Sequence, residues 1–234
     1  MKNVAIILAG GTGERLGARM PKPFFRLGSK TIIETTIEIF EQHEKIDAVY
    51  IVIHPEQTGN LSRVLEENHY RKISKILKGG PTRQQSSAIG VAAVEKDFGK
   101  VLIHDVARPF TPPGIVTGVL KKLDRYPAVN VGLKTKDTMV MINRNNTLER
   151  ILRRDAVKSV QTPQGFLTPV IREAHQLAIK SRQGHFTDDC SLITAFGLGP
   201  VGLVEGAEEN IKITTPFDVL VARSILQSRR KNGG

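Results

Sequence analysis

The junction between a short apolar run and a glycine-rich loop near the start of the chain constrains the fold more than any other stretch. Val4–Leu8 has five consecutive apolar residues, which are too few to cross a membrane and are typical of a strand buried in a parallel sheet. Four glycines follow between positions 10 and 17, so the backbone there can turn sharply and approach a ligand closely. Arg15 and Lys22 add two cations to this loop, which we expect to be exposed. Backbone N–H groups beside fixed cations predict a polyphosphate site.

The loop differs from two common phosphate-binding motifs. A P-loop ends in Gly-Lys-Ser/Thr, whereas Gly13 is followed here by Glu14 and Arg15. A dinucleotide-binding loop opens directly into a helix, which Pro21 and Pro23 oppose. Our interpretation is therefore an open loop over phosphates, with a tight turn that carries solvated charges as the alternative.

Composition indicates one folded domain and an anionic ligand. The chain has 234 residues and 40% hydrophobic content, which suit a single domain over residues 1–234. No apolar run is long enough to span a membrane and Cys190 is the single cysteine, so we expect a cytoplasmic protein that does not bind membranes. The formal charge of +11 suits polyanions, but 5% aromatic residues and no recognisable nucleic-acid module favour phosphorylated small molecules over nucleic acid. We expect the basic segment 229–231 to be a solvated end.

Helical and strand-like patterns alternate through the first half of the chain. Apolar spacing predicts helices over 31–42 and 61–68, and apolar runs predict strands over 48–53 and 75–77. Such alternation implies right-handed crossovers between parallel strands. We therefore predict an α/β fold with a Rossmann-like, mostly parallel sheet and helices on both faces.

Two further segments follow predicted strands and therefore belong at the same edge of the sheet. The loop 78–87 contains a glycine pair and opens a helix, and Asp105 follows the strand 101–104. Because ligands in such sheets bind at the carboxyl ends of the strands, an acid there is well placed to hold Mg²⁺ beside a triphosphate. The alternatives are an ordinary capped glycine turn for the loop and a local ion pair between Asp105 and Arg108.

The second half of the chain departs from this alternation. Apolar runs over 139–142 and 148–152 flank an asparagine-rich turn, which predicts a β-hairpin. We expect residues 136–154 to project as a β-arm, with an unpartnered surface excursion as the alternative. Further along, Thr187 has the residue type of a helix N-cap, and we expect Lys212 to lie on a strand.

Six motifs, in a single order along nearly the whole chain, resemble those of the 2-C-methyl-D-erythritol 4-phosphate cytidylyltransferase family. They are L-A-G-G-x-G-x-R-x-G…P-K at 8–22, G-G-x-x-R-x-x-S at 79–86, H-D-x-A-R-P at 104–109, Q-T-P-Q-x-F at 161–166, T-D-D at 187–189 and N-I-K-I-T-x-P-x-D at 210–218. The resemblance implies an enzyme that transfers CMP from CTP to the phosphate of 2-C-methyl-D-erythritol 4-phosphate and releases pyrophosphate. That reaction is a step of non-mevalonate isoprenoid biosynthesis.

The resemblance also implies roles for individual residues. They are Arg15, Lys22 and Lys212 in catalysis; Ala9, Gly10, Gly11, Gly13, Gly80, Ser86 and Asp105 in nucleotide binding, with Asp105 also holding Mg²⁺; and Arg108, Thr138, Arg154, Thr162 and Thr187 in substrate binding. It implies a homodimer in which the β-arm reaches the substrate of the twofold-related subunit.

Two departures from the family pattern keep other functions open. Pro81 stands where many members have an acidic residue, and Val140 stands where many have lysine. A pentitol-phosphate cytidylyltransferase, for example one that uses ribitol 5-phosphate, is therefore an alternative. A basic nucleic-acid-binding protein is a more distant alternative that depends on the charge of +11.

Overall fold

One seven-stranded sheet organises the chain in a computed structural model that describes residues 1–11, 13, 20–181 and 186–231. The strands in these residues are, in chain order, β1 (Lys2–Ala9), β2 (Arg26–Leu27), β3 (Lys30–Thr31), β4 (Ala48–Ile53), β5 (Ile73–Lys78), β6 (Phe98–Asp105), β7 (Ala128–Lys134), β8 (Val140–Ile142), β9 (Leu148–Ile151), β10 (Lys158–Leu167) and β11 (Val201–Glu205). The helices are α1 (Ile32–Glu41), α2 (Thr58–Glu67), α3 (Arg83–Ala92), α4 (Pro113–Lys122), α5 (Thr168–Ser181), α6 (Asp189–Ala195) and α7 (Pro216–Lys231).

The large sheet has the strand order β11-β7-β10-β6-β1-β4-β5 and is mostly parallel, as predicted. β10 is its antiparallel member and pairs with β6 on one side and β7 on the other. The sequence did not predict this strand, because Pro163 and the polar residues around it obscure the strand pattern. The pairing of β10 with β7 is irregular between Gln161 and Gly165, and this irregularity accommodates a proline that has no N–H to donate.

Side chains of β1 alternate between two hydrophobic cores, one on each face of the sheet. Ala5 and Ile7 pack in the core covered by α1, α2, α4 and α7, whereas Val4 and Ile6 pack in the core covered by α3, α5 and α6. All four side chains are fully buried. The predicted placement of helices on both faces is therefore confirmed. None of the described helices has the length and apolar character needed to cross a bilayer.

Local sequence explains where the first helix begins, and a side-chain contact holds the last described turn of α7 against the core. Thr31 and Glu34 form a capping box at the start of α1, in which Thr31 Oγ1 accepts the Glu34 N–H at 3.3 Å. At the end of α7, Arg229 donates to the Phe110 carbonyl oxygen at 3.0 Å. Arg230 and Lys231 are exposed, as the prediction of a solvated end requires, whereas Arg229 is half-buried because the last turn of α7 meets the loop after β6.

The predicted hairpin is confirmed as a two-stranded antiparallel sheet of β8 and β9, in which Val140 lies opposite Ile151. Within the described ranges, this hairpin pairs with no other strand. Its apolar side chains are exposed, with Ile142 and Leu148 each at 59% and Ile151 at 61% of full exposure. Because an isolated two-stranded hairpin is marginally stable in water, this apolar surface is suited to contact another molecule.

Candidate active site

Two cavities adjoin at the carboxyl end of the sheet and have a wall in common. The first cavity, of about 400 Å³, lies between the loop after β1 and the loop before α3. The second cavity, of about 210 Å³, lies beside β10 and the start of α6. Arg83, Asp105 and Lys212 line both cavities, and we call these three residues the shared wall. This edge of the sheet is where parallel α/β folds bind ligands.

The loop after β1 forms one side of the first cavity through Gly10, Gly11 and Lys22. Gly13 has a φ of 84°, and a Cβ atom there would lie 3.0 Å from both the Cβ atom and the backbone nitrogen of Lys22. Glycine is therefore required where the loop passes Lys22. Ala9 is buried at the end of β1 and does not belong to the described lining of the cavity.

The two cations predicted on this loop have different outcomes. Lys22 begins a 3-10 turn over Lys22–Phe24 and has 8% of its surface exposed, so the expectation of an exposed loop is wrong at this position. Pro23 and Phe24 are buried with it, which holds the backbone of Lys22 against the core while its side chain lines the first cavity. Arg15 lies outside the described residues.

The loop before α3 forms the opposite side of the first cavity. Gly80 and Ser86 both line it, and Ser86 Oγ accepts the Gly80 N–H at 3.2 Å. A Cβ atom on Gly79 would lie 3.0 Å from Ser86 Oγ and 3.3 Å from the Ile53 carbonyl oxygen. The glycine pair thus lets the loop fold tightly against α3 and present its backbone to the cavity.

Asp105 ends β6 and has a cation at each carboxylate oxygen. Arg83 Nε donates to Oδ1 at 3.0 Å, and Lys212 Nζ donates to Oδ2 at 2.7 Å. Burial alone would raise the pKa of this carboxyl group, but the charges of Arg83 and Lys212 hold that pKa well below its usual range. Asp105 is therefore ionised. The alternative of a local ion pair with Arg108 is wrong, because Arg83 and Lys212 occupy both oxygens.

Arg83 connects Asp105 to a second, deeper carboxylate. Its Nη1 donates to Asp189 Oδ2 at 2.8 Å, and Asp189 is 1% exposed. Ser87 Oγ donates to Asp189 Oδ1 at 2.5 Å, and His175 Nε2 lies 3.4 Å from the same oxygen. Sequence reasoning assigned no role to Arg83 or Asp189, although both stand in motifs of the resemblance. Because the two residues are 106 positions apart, no local sequence pattern predicts that they pair.

Lys212 lies on a segment between β11 and α7 that forms no strand, which contradicts the expectation for this residue. The neighbouring Ile213 is fully buried and donates its N–H to the Ala107 carbonyl oxygen at 2.8 Å. This bond and those of Asn210 anchor the segment without the repeated pairing that a strand needs. The Lys212 side chain remains 42% exposed at the shared wall.

Arg108 gives the second cavity a cation whose partners are neutral. Its Nη1 donates to the Asn210 carbonyl oxygen at 2.8 Å, and its Nη2 donates to the Val160 carbonyl oxygen at 3.2 Å. The buried Nε has no hydrogen-bond partner within the described chain. Burial lowers the pKa of Arg108, although a guanidinium group stays charged in proteins. A partly buried cation with carbonyl partners is suited to bind an anion.

Thr162 lines the second cavity, but its hydroxyl proton is committed to the fold. His104 Nε2 lies 3.1 Å from the Arg108 carbonyl oxygen, which can only accept, so the ring carries its proton on Nε2. Burial lowers the pKa of His104 to about 4, so the ring is neutral and Nδ1 accepts the Thr162 hydroxyl proton at 3.0 Å. Thr162 Oγ1 also accepts the Asp105 N–H at 3.1 Å, and it therefore positions Asp105.

Thr187 also lines the second cavity, but it is not the N-cap of α6. Asp188 caps that helix, since its Oδ1 accepts the Ser191 N–H at 2.8 Å. The Asp188 carboxylate thus accepts a backbone N–H of the first turn of α6, so the cap lies one residue later than predicted. Gln164 fixes this segment from β10 by donating to Asp188 Oδ2 at 2.8 Å and accepting the Asp189 N–H at 3.0 Å.

Two of the predicted substrate-binding residues lie together on the arm. Arg154 Nη2 donates to Thr138 Oγ1 at 3.0 Å. Neither side chain belongs to the described lining of either cavity. The structure therefore pairs Thr138 with Arg154 but does not bring them to the site of their own chain.

The donor set at the first cavity fits magnesium better than a metal that needs several protein ligands. Asp105 is the one acidic side chain in the described lining of that cavity. The described ranges contain no group of three or more histidine, cysteine or acidic side chains that could hold a metal ion. Mg²⁺ is commonly held by one or two carboxylates together with substrate phosphates, an arrangement that an ionised Asp105 can supply.

The sequence resembles proteins of known function over most of its length. It matches the family described as 2-C-methyl-D-erythritol 4-phosphate cytidylyltransferase over residues 3–228. It is 38% identical to the 2-C-methyl-D-erythritol 4-phosphate cytidylyltransferase of Clostridium novyi, over 97% of this chain and 97% of that protein. It is 35% identical to the bifunctional ribulose 5-phosphate reductase/CDP-ribitol pyrophosphorylase Bcs1 of Haemophilus influenzae, over 97% of this chain and 49% of that protein. The chain thus spans about half the length of Bcs1.

Solved structures show the same fold. The 4-diphosphocytidyl-2C-methyl-D-erythritol synthase of Anaerococcus prevotii superposes with a TM-score of 0.87 at 30% identity, over 97% of this chain and 96% of that chain. The 2-C-methyl-D-erythritol 4-phosphate cytidylyltransferase of Thermus thermophilus superposes with a TM-score of 0.78 at 33% identity, over 97% of this chain and 100% of that chain.

Proposed function

Because the chain belongs to the 2-C-methyl-D-erythritol 4-phosphate cytidylyltransferase family, we propose that its two adjoining cavities hold CTP and the phosphomonoester that receives CMP. The chain is a nucleotidyltransferase of non-mevalonate isoprenoid biosynthesis, and it transfers CMP from CTP to 2-C-methyl-D-erythritol 4-phosphate with release of pyrophosphate. The observation that carries the assignment of the cavities is the shared wall, where three charged side chains line both of them.

The first cavity suits CTP. Its volume of about 400 Å³ is within the range of small-molecule sites. The glycine loop and Lys22 offer backbone N–H groups and a cation to the triphosphate. Gly80 and Ser86, on the opposite side, are assigned to the cytosine and ribose. Nucleotide contacts are further assigned to Ala9, Gly10, Gly11 and Gly13, and a catalytic role to Arg15.

The second cavity suits the phosphomonoester. A phosphate group there would give the Arg108 guanidinium an anionic partner in addition to its two carbonyl oxygens. Thr187 lines the same cavity and adds a hydroxyl group at its edge. Lys212 lines both cavities, so it could contact both this phosphate and the α-phosphate of a nucleotide in the first cavity.

The chemistry is a direct displacement that requires no protein nucleophile. A phosphate oxygen of the acceptor attacks the α-phosphorus of CTP in line, and pyrophosphate leaves. Because both reactants are anions, the chain contributes by positioning them and by stabilising charge on the phosphoryl oxygens. Lys22 is assigned to the leaving pyrophosphate, and Lys212 to the attacking phosphate and the α-phosphoryl oxygens.

Mg²⁺ is the proposed cofactor, and Asp105 is its proposed protein ligand. When bound, the ion would neutralise charge on the triphosphate and orient the α-phosphate. Asp105 is ionised but carries a cation at each oxygen. The Lys212 side chain is 42% exposed and that of Arg83 27%, so Lys212 is the cation assigned to leave Asp105 for a phosphate oxygen.

A homodimer through the β-arm at 136–154 is the proposed assembly. The arm carries exposed apolar side chains, and Thr138 and Arg154 lie on it away from the described cavities of their own chain. A twofold-related subunit would cover the apolar surface and receive both residues at its second cavity, and such dimers are the commonest closed oligomers. A cytoplasmic location stays a prediction.

Ribitol 5-phosphate is the second candidate acceptor. The observation in its favour is the 35% identity to Bcs1, whose name includes CDP-ribitol pyrophosphorylase. Val140, which departs from the family pattern, lies on the arm proposed to reach the acceptor. Both acceptors are polyols with one phosphate group, so Arg108 would hold either of them.

Pyrophosphate release with CTP, UTP, ATP and GTP against both acceptors tests the proposal. We expect the highest kcat/KM for CTP with 2-C-methyl-D-erythritol 4-phosphate, because the backbone of the Gly80 loop is assigned to the edge of the cytosine base. Equal turnover of UTP would contradict the nucleotide assignment, and a higher kcat/KM for ribitol 5-phosphate would establish the second candidate. Tight, steeply salt-dependent DNA binding without pyrophosphate release would favour the nucleic-acid alternative.

A further inference from the structure

Arg83 joins the carboxylate assigned to Mg²⁺ to a second, buried carboxylate. We propose that Arg83 is a positioning residue, which keeps Asp105 aimed at the divalent cation while Lys212 moves to the substrates. The inference rests on the proposed function and deepens it, since it gives Arg83 and Asp189 a part in organising the cation site.

The two bonds of Arg83 come from one rigid group. Nε donates to Asp105 Oδ1 at 3.0 Å, and Nη1 donates to Asp189 Oδ2 at 2.8 Å. Because the guanidinium is planar and its donors keep a fixed geometry, the position of Asp189 determines the direction from which Asp105 is held. Arg83 is the first residue of α3, and the Thr82–Gln85 capping box at that helix start fixes its backbone.

Asp189 is the fixed end of this connection. It is 1% exposed, and its Oδ1 accepts the hydroxyl proton of Ser87 at 2.5 Å. His175 Nε2 lies 3.4 Å from the same oxygen, and the Asp189 N–H donates to Gln164 Oε1 at 3.0 Å. Residues of α3, α5 and β10 therefore hold Asp189 from three sides. A carboxylate held in this way cannot follow a movement of Asp105.

Lys212 is held much less firmly than Arg83. It lies on a segment without strand pairing, and its side chain is 42% exposed. When Lys212 leaves Oδ2, the Arg83 bond to Oδ1 is the contact that still orients the carboxylate within the described structure. Metal ligands generally depend on such outer partners for their orientation.

A direct contact between Arg83 and a substrate phosphate is the competing role. Arg83 Nη2 is buried and has no hydrogen-bond partner among the described residues, and Arg83 lines both cavities. The two roles make different predictions. A direct contact would change the KM of CTP or of the acceptor, whereas a positioning role would change the affinity for the divalent cation.

The test measures Mn²⁺ binding to the full-length protein with CTP present, by the decrease in the electron paramagnetic resonance signal of the free ion relative to CTP alone, together with steady-state kinetics at varied Mg²⁺. In Arg83→Lys the charge remains, but a single ammonium nitrogen replaces the two fixed donors with which the planar guanidinium holds Asp105 and Asp189. We expect its Mn²⁺ affinity and its apparent Mg²⁺ affinity to fall by about 10- to 100-fold, with an unchanged KM for CTP at saturating Mg²⁺. Asp189→Asn should shift the same two affinities, although Asp189 does not belong to the described lining of either cavity.

Two further variants keep the test decisive. Arg172→Lys is the matched control, because Arg172 donates to the Val94 carbonyl oxygen away from both cavities, and it should bind Mn²⁺ like the wild type. Ser87→Ala removes one hydrogen bond to Asp189 and leaves both ion pairs of Arg83, so it should lower Mn²⁺ affinity by a smaller factor than Asp189→Asn. It replaces Asp189→Asn in the test if that variant fails to fold. Wild-type Mn²⁺ affinity in folded Arg83→Lys, or a change confined to the KM of CTP or the acceptor, overturns the inference. A wild-type protein that binds no Mn²⁺ with CTP would overturn the proposed cofactor as well.

Discussion

Lys212 Nζ lies 2.7 Å from Asp105 Oδ2. This ion pair joins two residues with different proposed roles, since Lys212 is assigned to the reacting phosphates and Asp105 to Mg²⁺. The two groups cannot take up those roles while they hold each other. Binding of Mg²⁺ and the movement of Lys212 are therefore expected to be coupled.

Lys212→Gln should lower kcat by about 10²- to 10³-fold, because a cation that strengthens its contact in the transition state is lost. The same variant should need no more Mg²⁺ than the wild type, since the ammonium group that competes for Asp105 is gone. Pyrophosphate release at varied Mg²⁺ measures both quantities. Lys100→Gln is the control, because Lys100 pairs with Asp124 away from the described cavities. Full activity in excess EDTA would contradict the proposed role of Mg²⁺.

Lys22→Met should reduce kcat by about 10²- to 10³-fold while the protein remains folded. Methionine keeps an unbranched apolar stem in a position that is 8% exposed, so the loss of charge is separated from a loss of packing. Stopped-flow pyrophosphate release and thermal unfolding give the two readouts. Lys30→Met, at a surface ion pair with Glu38, is the control. A wild-type rate would remove Lys22 from the catalytic residues. The sequence alone predicts the same loss for Arg15→Ala.

Arg108→Gln should raise the KM of the acceptor by about 10- to 100-fold, the factor that corresponds to one charged hydrogen bond of 1.5–3 kcal/mol. The KM of CTP should stay near the wild-type value, because Arg108 lines only the second of the two described cavities. Initial rates over a matrix of both substrates measure the two constants. Arg125→Gln, at an exposed position, is the control. A rise confined to the KM of CTP would show that the two cavities are assigned the wrong way round.

Mixing Lys22→Met with Thr138→Ala should restore activity if the arm serves the partner subunit. In a mixed dimer one site then carries both defects and the other carries neither, so random pairing recovers up to about a quarter of wild-type activity. Activity after subunit exchange, with the dimer followed by light scattering, is the measurement. If Thr138 serves its own subunit, every site keeps one defect and nothing is regained. A monomer, or no recovery despite proven exchange, would reject the shared site.

The sheet was predictable because its parallel strands are short apolar runs separated by helical spacing. β4, predicted over 48–53, has those bounds in the structure. β10 was missed for the opposite reason, since its central residues are polar and include Pro163, and its place is set by neighbours on both sides. Strand patterns thus report burial of side chains, and a strand that carries polar site residues lacks this signal.

The candidate site was predictable where a residue has a local reason for its type. Gly80 and Ser86 belong to one loop and helix start, and they meet in the first cavity. Arg83 belongs to the same segment, but the sequence predicts no role for it, because its partners Asp105 and Asp189 are 22 and 106 positions away. The residue type of Thr187 predicts a helix cap, because threonine is a good one, but the neighbouring Asp188 forms that cap.

Lys134 and Lys158 lie directly opposite each other in the sheet, where the arm leaves the domain and where the chain returns to it. Antiparallel neighbours in this position need no more than a two-residue turn to connect them. The arm is therefore a detour between strands that are already paired, and its removal would take no hydrogen bond from the seven-stranded sheet. The surface proposed for dimerisation thus lies on a segment whose length and sequence can change while the strand pairing of the main sheet stays intact.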